Sequence, residues 1–163
     1  MRMLERAVLE MIRYFGGDVR RINHALKVLG FAQAIAAAEN ISAEAREIVG
    51  LAAALHDIGI PEAERKYGSS AGNLQEKEGP PVAKDILQRI GADTGIIERV
   101  CHIIGRHHSY HKIDGIDFRI LVEADFLVNI SEDAMDVQSI RSVGKKCFKT
   151  KCAIELLEGM YLR

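Results

Sequence analysis

The sequence predicts an all-α protein, a compact single-domain helical bundle, on three observations. Apolar residues recur at intervals of three and four along most of its 163 residues, the period of a helix with one buried face. No apolar–polar alternation of the kind a strand needs outlasts a few residues. Capping residues and glycines fall between the periodic runs, where helices start and stop. The length suits one domain spanning 1–163, burying roughly 70% of its unfolded surface. No internal repeat, low-complexity tract or composition shift marks a second domain.

Taken in order, Leu4, Val8, Met11, Ile12 and Phe15 define a first helix, about Glu5 to Phe15, stopped by Gly16-Gly17; glycine is the common helix C-terminal cap. Asp18 caps a second helix to about Asn40, with a face of Ile22, Ala25, Leu26, Leu29, Ala32, Ile35 and Ala36. Its small side chains let neighbouring backbones approach. Ser42 opens a third helix, with Glu44 suiting the N-terminal dipole. The run Ile48 to Leu55 is so apolar that this helix must be buried, and it ends at His56-Asp57, before Gly59 and Pro61. From Pro61 to Pro81 the sequence is rich in Gly, Ser and charge with little periodicity, which predicts a long surface loop of the kind that is commonly functional or partly disordered. Val82, Ala83, Ile86, Leu87 and Ile90 restore the helical period up to Gly91. Asp93 or Thr94 caps a helix through Ile96, Ile97, Val100, Ile103 and Ile104. A turn at Asp114-Gly115 leads to a strongly apolar helix from about Phe118 to Ile130. Ser131 caps a short helix, and Lys151 to Tyr161 forms the last.

Composition removes several function classes. Lys plus Arg is 22 against 23 Asp plus Glu, a net charge of −1, without the basic excess of a dedicated nucleic-acid binder. There is no Trp and aromatics are 6%, which argues against a base-stacking surface. No apolar run approaches the roughly 20 residues of a membrane span, and Met1 to Tyr14 carries Glu5 and Glu10 at helical spacing, unlike a signal peptide. Cys101, Cys147 and Cys152 form no Cys-x-x-Cys pair and are odd in number. They read as reduced thiols of a cytoplasmic protein.

Chemistry concentrates in a few polar residues with apolar neighbours. A buried carboxylate costs several kcal/mol unless it is paired or bound to a metal. His56 and Asp57, at the end of the most apolar helix, therefore need partners. Asp125 shares a helix face with Leu121 and Val122 and points inward; Glu123 falls off that face and reads as solvated. His24 sits among Ala25, Leu26, Val28 and Leu29. A lone histidine there is ordinarily a core residue, but beside the other three it reads as a ligand. His107 and His108 follow a helix end next to Arg106 and read as binding a second cation or a substrate phosphate; His102 and His111 read as surface or packing residues. Lys66, Lys77 and Arg106 are the cations expected at the mouth.

In order, His24, His56-Asp57-Ile58-Gly59, His107-His108 and Asp125 resemble the pattern of the HD-domain metal-dependent phosphohydrolase superfamily. The resemblance covers about residues 20–129, leaving 131–163 as a helical extension. It implies that His24, His56, Asp57 and Asp125 hold a divalent metal ion (Mn, Fe, Co, Ni, Zn or Mg) and that His107 and His108 lie near a second one in binuclear members. It further implies a metal-activated water attacking a small phosphorylated substrate, a nucleotide or another phosphate ester, with Asp57, His107 and His108 as the catalytic residues. Binuclear relatives carry another histidine before the helix that follows the long loop. Here the stretch reads Leu74-Gln75-Glu76-Lys77-Glu78, so Gln75, Glu76 or Glu78 would replace it, or the site holds one ion. The Gly-Tyr-Pro signature of the cyclic-dinucleotide branch is absent after Asp114-Gly115. Two other classes fit the same frame: a non-catalytic metal- or nucleotide-binding sensor, and a di-iron oxygenase. A homo-oligomer is compatible with all three.

Overall fold

Helix α3 (Ala43–Leu55) runs through the centre of the protein in the computed structural model, which describes residues 1–163. Every residue from Ile48 to Leu55 is buried, each large aliphatic side chain contributing about 1.5–3 kcal/mol through its removal from water. Around it pack α1 (Met3–Phe15), α2 (Val19–Ala38), α6 (Thr94–Ile104) and α7 (Ile116–Glu132). The remaining helices are α4 (Ile60–Tyr67), α5 (Gly72–Arg89), α8 (Val137–Cys147) and α9 (Lys151–Tyr161), with a short 3-10 turn at Tyr110–Lys112 and no strand. The all-α, single-domain expectation holds. No helix is long and apolar enough to cross a membrane, and all three cysteines are free thiols.

Local chemistry explains the helix starts. The side chains of Asp18, Ser42, Asp136 and Thr150 each accept a hydrogen bond from the backbone N–H three residues on, at Arg21, Ala45, Ser139 and Ala153. Each satisfies one of the N–H groups a helix start leaves unpaired. On α2 the buried face is Ala25, Val28, Leu29, Ala32, Ile35 and Ala36, whereas Leu26 is exposed. Val28 replaces Leu26 on the inward face because the stripe follows α3 and α7 together, not one partner.

The largest departure from the sequence expectation is the segment Pro61 to Pro81, which is helical. It forms α4 and the first half of α5, despite Pro80 and Pro81 inside the latter. Each proline removes one helical hydrogen bond, and packing compensates. A Cβ on Gly59 would lie 2.5 Å from the Gly79 nitrogen and one on Gly79 would lie 2.7 Å from Ile104 Cγ2. The backbones of α4 and α5 thus touch, and α6 closes over the prolines, with the Cys101 thiol donating to the Pro80 carbonyl at 3.5 Å.

Two smaller corrections concern α7. Ser131 lies within that helix and caps nothing; Asp136 begins α8. Glu123 is fully buried rather than solvated. Its carboxylate accepts from the backbone N–H groups of Lys149 and Thr150 and from the Thr150 hydroxyl. The charge therefore stabilises the start of α9, a partner 26 residues away that no local periodicity signals.

Candidate metal centre

Three helices bring the polar residues together. His24 sits in the second turn of α2, His56 is the C-terminal cap of α3, Asp57 follows it, and Asp125 lies midway along α7. His24 Nε2 lies 3.2 Å from His56 Nε2, 3.1 Å from Asp125 Oδ1 and 3.5 Å from Asp57 Oδ2. His56 Nε2 lies 3.4 Å from Asp57 Oδ2 and 3.6 Å from Asp125 Oδ1. Ligand atoms about 2.0–2.2 Å from one cation and 90–110° apart stand roughly 3.0–3.5 Å from each other. The pairs that His24 and His56 make with each other and with the two carboxylates, at 3.1–3.6 Å, are close to that spacing.

The groups behind the histidines settle which nitrogen carries the proton. His24 Nδ1–H donates to Glu132 Oε2 at 2.9 Å, His56 Nδ1–H to the Ala53 carbonyl at 2.9 Å and His107 Nδ1–H to the Ile104 carbonyl at 2.8 Å. These partners accept and cannot donate, so each neutral imidazole turns an Nε2 lone pair inward. Nitrogen lone pairs and carboxylate oxygens facing one another at 3.1–3.6 Å repel unless a positive charge sits among them.

The proton affinities carry the same information. Burial disfavours charge on His56, but Asp57 and Asp125 outweigh it and push its pKa up to about 9. His24 is raised likewise, with Asp125 and Asp57 overcoming burial. Burial would raise Asp57, yet His56 and His107 bring it down to about 2. Asp125 is held well below the usual carboxylate range by His24 and His56, again against burial. A pocket that attracts protons this strongly presents the same field to a divalent cation.

Asp57 faces two ways. Its Oδ2 belongs to the cluster above, while Oδ1 lies 3.6 Å from His107 Nε2, a buried nitrogen with no hydrogen-bond partner. Asp57, His107 and His108 form a second group within reach of one ion, beside that of His24, His56 and Asp57. His108 Nε2 pairs with Gln75 Oε1 at 3.1 Å, and the Gln75 amide nitrogen donates to the Ser70 carbonyl at 2.7 Å, fixing which end of the amide faces the imidazole. Burial and the neighbouring His107 lower the His108 pKa to about 4.

Of the three side chains considered as replacements for the missing histidine, Gln75 alone faces the cluster. Glu76 accepts from the His108 backbone N–H and the Ser109 hydroxyl, and Glu78 is tied to Lys66 and to the Tyr67 hydroxyl. His102 pairs with Asp114, 2.8 Å apart, and His111 is exposed. The cations expected at the mouth are elsewhere: Lys66 is held by Glu78, Lys77 lies over the Tyr67 ring and Arg106 donates to the His102 carbonyl. None lines the open cavity of about 450 Å³ above the cluster; Arg20 and Arg21 do.

Sequence reasoning passed over Arg20, Arg21, Asn129 and Glu132. A helical signal existed for each. Arg20 and Arg21 precede His24 by one turn, and Asn129 and Glu132 follow Asp125 by one and two turns. The Asn129 amide donates to Asp125 Oδ1 at 3.0 Å. Arg21 is engaged by both Glu64 oxygens and by Asp18, leaving Arg20 the cation at the rim without an ion-pair partner.

The HD domain family model matches residues 21–141, a span that contains His24, His56, Asp57, His107, His108 and Asp125. None of the curated proteins matches the chain. The fold is similar to the crystal structure of a predicted HD superfamily hydrolase from an uncultured Thermotogales bacterium. That chain is 26% identical, with a TM-score of 0.67 over 98% of this chain and 83% of its own. With the paired His56-Asp57 inside a match that runs through most of its length, the chain belongs to the HD-domain family.

Proposed function

We propose that this protein is a metal-dependent phosphohydrolase that cleaves a nucleotide or another small phosphate ester. The single observation that carries this reading is the convergence of the His24 and His56 lone pairs with Asp57 and Asp125 at ligand spacing, on the floor of an open cavity. The donor set suits Mn²⁺, Fe²⁺, Co²⁺, Ni²⁺ or Zn²⁺, with Mg²⁺ also accommodated by the carboxylates. A divalent ion held there would polarise a phosphoryl oxygen and make a water molecule acidic enough to attack phosphorus.

The remaining work falls to side chains. Asp57 Oδ1 and His107 Nε2 present acceptors toward one another and are placed to take the hydrogens of the attacking water. His108 is kept neutral, with its single N–H at Nε2 given to Gln75, so its other ring nitrogen, Nδ1, is an acceptor. Arg20 supplies the positive charge that holds the phosphate at the rim.

The test is phosphate release from p-nitrophenyl phosphate and a nucleotide panel with Mn²⁺, Co²⁺ or Mg²⁺. The expected result is turnover by the wild type and a loss of at least about a thousandfold in Asp57→Ala, since metal affinity and water orientation fail together. Asp57→Ala turning over at the wild-type rate would remove the residue from the mechanism. The absence of turnover on every ester would leave a metal-binding sensor.

A further inference from the structure

We infer that the cavity binds one phosphate and a hydroxylated carrier group but makes no use of a nucleobase, so that its substrates are sugar phosphates or similarly hydroxylated phosphate monoesters. This rests on the phosphohydrolase reading and narrows its substrate class.

The walls carry the argument. Ile60 is the one apolar side chain lining the cavity, and no Phe or Tyr reaches it. Nucleotide sites ordinarily hold the base between apolar or aromatic surfaces, each stacked base contributing about 1–3 kcal/mol. The imidazoles do not substitute for such a surface. The His108 ring has His107 packed against it, with centroids 4.0 Å apart. The Gly72 backbone also lies so near that a Cβ there would come within 2.9 Å of His108 Cγ. His24 is held among His56, Asp125 and Glu132. The nearby Tyr110 turns its ring to Phe126, with centroids 5.1 Å apart.

What the wall does offer is hydrogen bonding. Ser70, Asn129 and Asp133 line the cavity, and the Ser70 hydroxyl, the Asn129 amide oxygen and the Asp133 carboxylate are engaged by no other protein group. These are partners for hydroxyls, not for a purine face. Charge points to a single phosphate. Carboxylates outnumber guanidiniums on the wall, and with Arg21 neutralised by Glu64 and Asp18 only Arg20 remains for phosphate oxygens. A di- or triphosphate would bring negative charge into an acidic rim that has no second cation to meet it.

Ribose 5-phosphate and adenosine 5′-monophosphate isolate the contribution of the base. Their affinities for the Mn²⁺-loaded wild-type protein are measured by calorimetry, with phosphate release followed in the same samples to correct for turnover. The expected result is that adenosine monophosphate binds less than about fivefold more tightly than ribose 5-phosphate, because adenine meets no stacking surface. A second arm, Asp133→Ala, should weaken ribose 5-phosphate severalfold, and unchanged ribose 5-phosphate affinity in that variant also counts against the inference. Adenosine monophosphate binding fivefold or more tightly, or no detectable affinity for ribose 5-phosphate, overturns the inference. These are equilibrium readouts. A failure of the phosphohydrolase reading appears separately, as bound ester with no phosphate released.

Discussion

At the scale of the residue, the candidate centre depends on atoms that would never face a bound cation. Nδ1 of His24 is committed to Glu132, and the other Glu132 oxygen is held by Lys27 at 3.1 Å. The carboxylate therefore fixes both the tautomer and the plane of the imidazole. Glu132→Ala should weaken Mn²⁺ binding about 10–100-fold by titration calorimetry. Glu132→Gln, whose amide oxygen can still accept from Nδ1–H, should recover much of the loss. Equal affinity in the wild type and the alanine variant would mean that the hydrogen bond orients nothing that matters. His24, His56, Asp57 and Asp125 were legible from the sequence because each is a polar residue in an apolar setting that demands a partner. Glu132 and Arg20 were not, because each also reads as an ordinary solvated charge. Only the helical registers of α2 and α7, combined in space, bring them to the cavity.

At the scale of the element, the site depends on how closely α4 and α5 approach. Gly59, three residues after His56, lies against Gly79 and the Gln75 carbonyl, 2.8 Å from where a Cβ would sit. The contact holds Gln75 beside His108. Gly59→Ala forces backbone against backbone, which cannot be relieved by turning a side chain. It should cost about 1–3 kcal/mol in urea denaturation, with the slope of the transition unchanged. An unaltered midpoint would show that the two helices separate freely. Here the sequence was hardest to read. Helices α1, α2, α3, α6, α7 and α9 announce themselves through apolar period and caps, and the range Lys151–Tyr161 agrees with its structure to the residue. In α4 and the start of α5, Gly, Ser, charge and two prolines erase the local pattern. Contacts with Gly59 and Ile104 supply what propensity lacks. Glu123 misled for the same reason, its partner being the distant start of α9.

At the scale of the whole molecule, polar ties between helices keep the frame around α3 in register. Arg99 on α6 donates to both oxygens of Asp117 on α7, at 2.8 and 2.6 Å, and also to Asp114. Burial would raise the Asp117 pKa, but Arg99 and the Phe118 backbone N–H outweigh it and lower it. A carboxylate with a depressed folded pKa stabilises the fold above its unfolded pKa, and that stability disappears as pH falls through the folded value. Arg99→Met should therefore be about 1–3 kcal/mol less stable than wild type at pH 7. The difference should shrink below about pH 4, where Asp117 protonates in the unfolded chain; a difference independent of pH would assign the loss to packing alone. On the proposed reading, this frame would serve a cation held by residues from α2, the end of α3 and α7. The most direct measurement is metal content by plasma mass spectrometry on protein purified without chelator and reloaded with Mn²⁺, compared with Asp125→Asn and His24→Ala. The wild type should retain at least one ion per chain through gel filtration, and both variants should lose it while keeping their helical circular dichroism. Folded variants that hold as much metal as the wild type would contradict the centre described here.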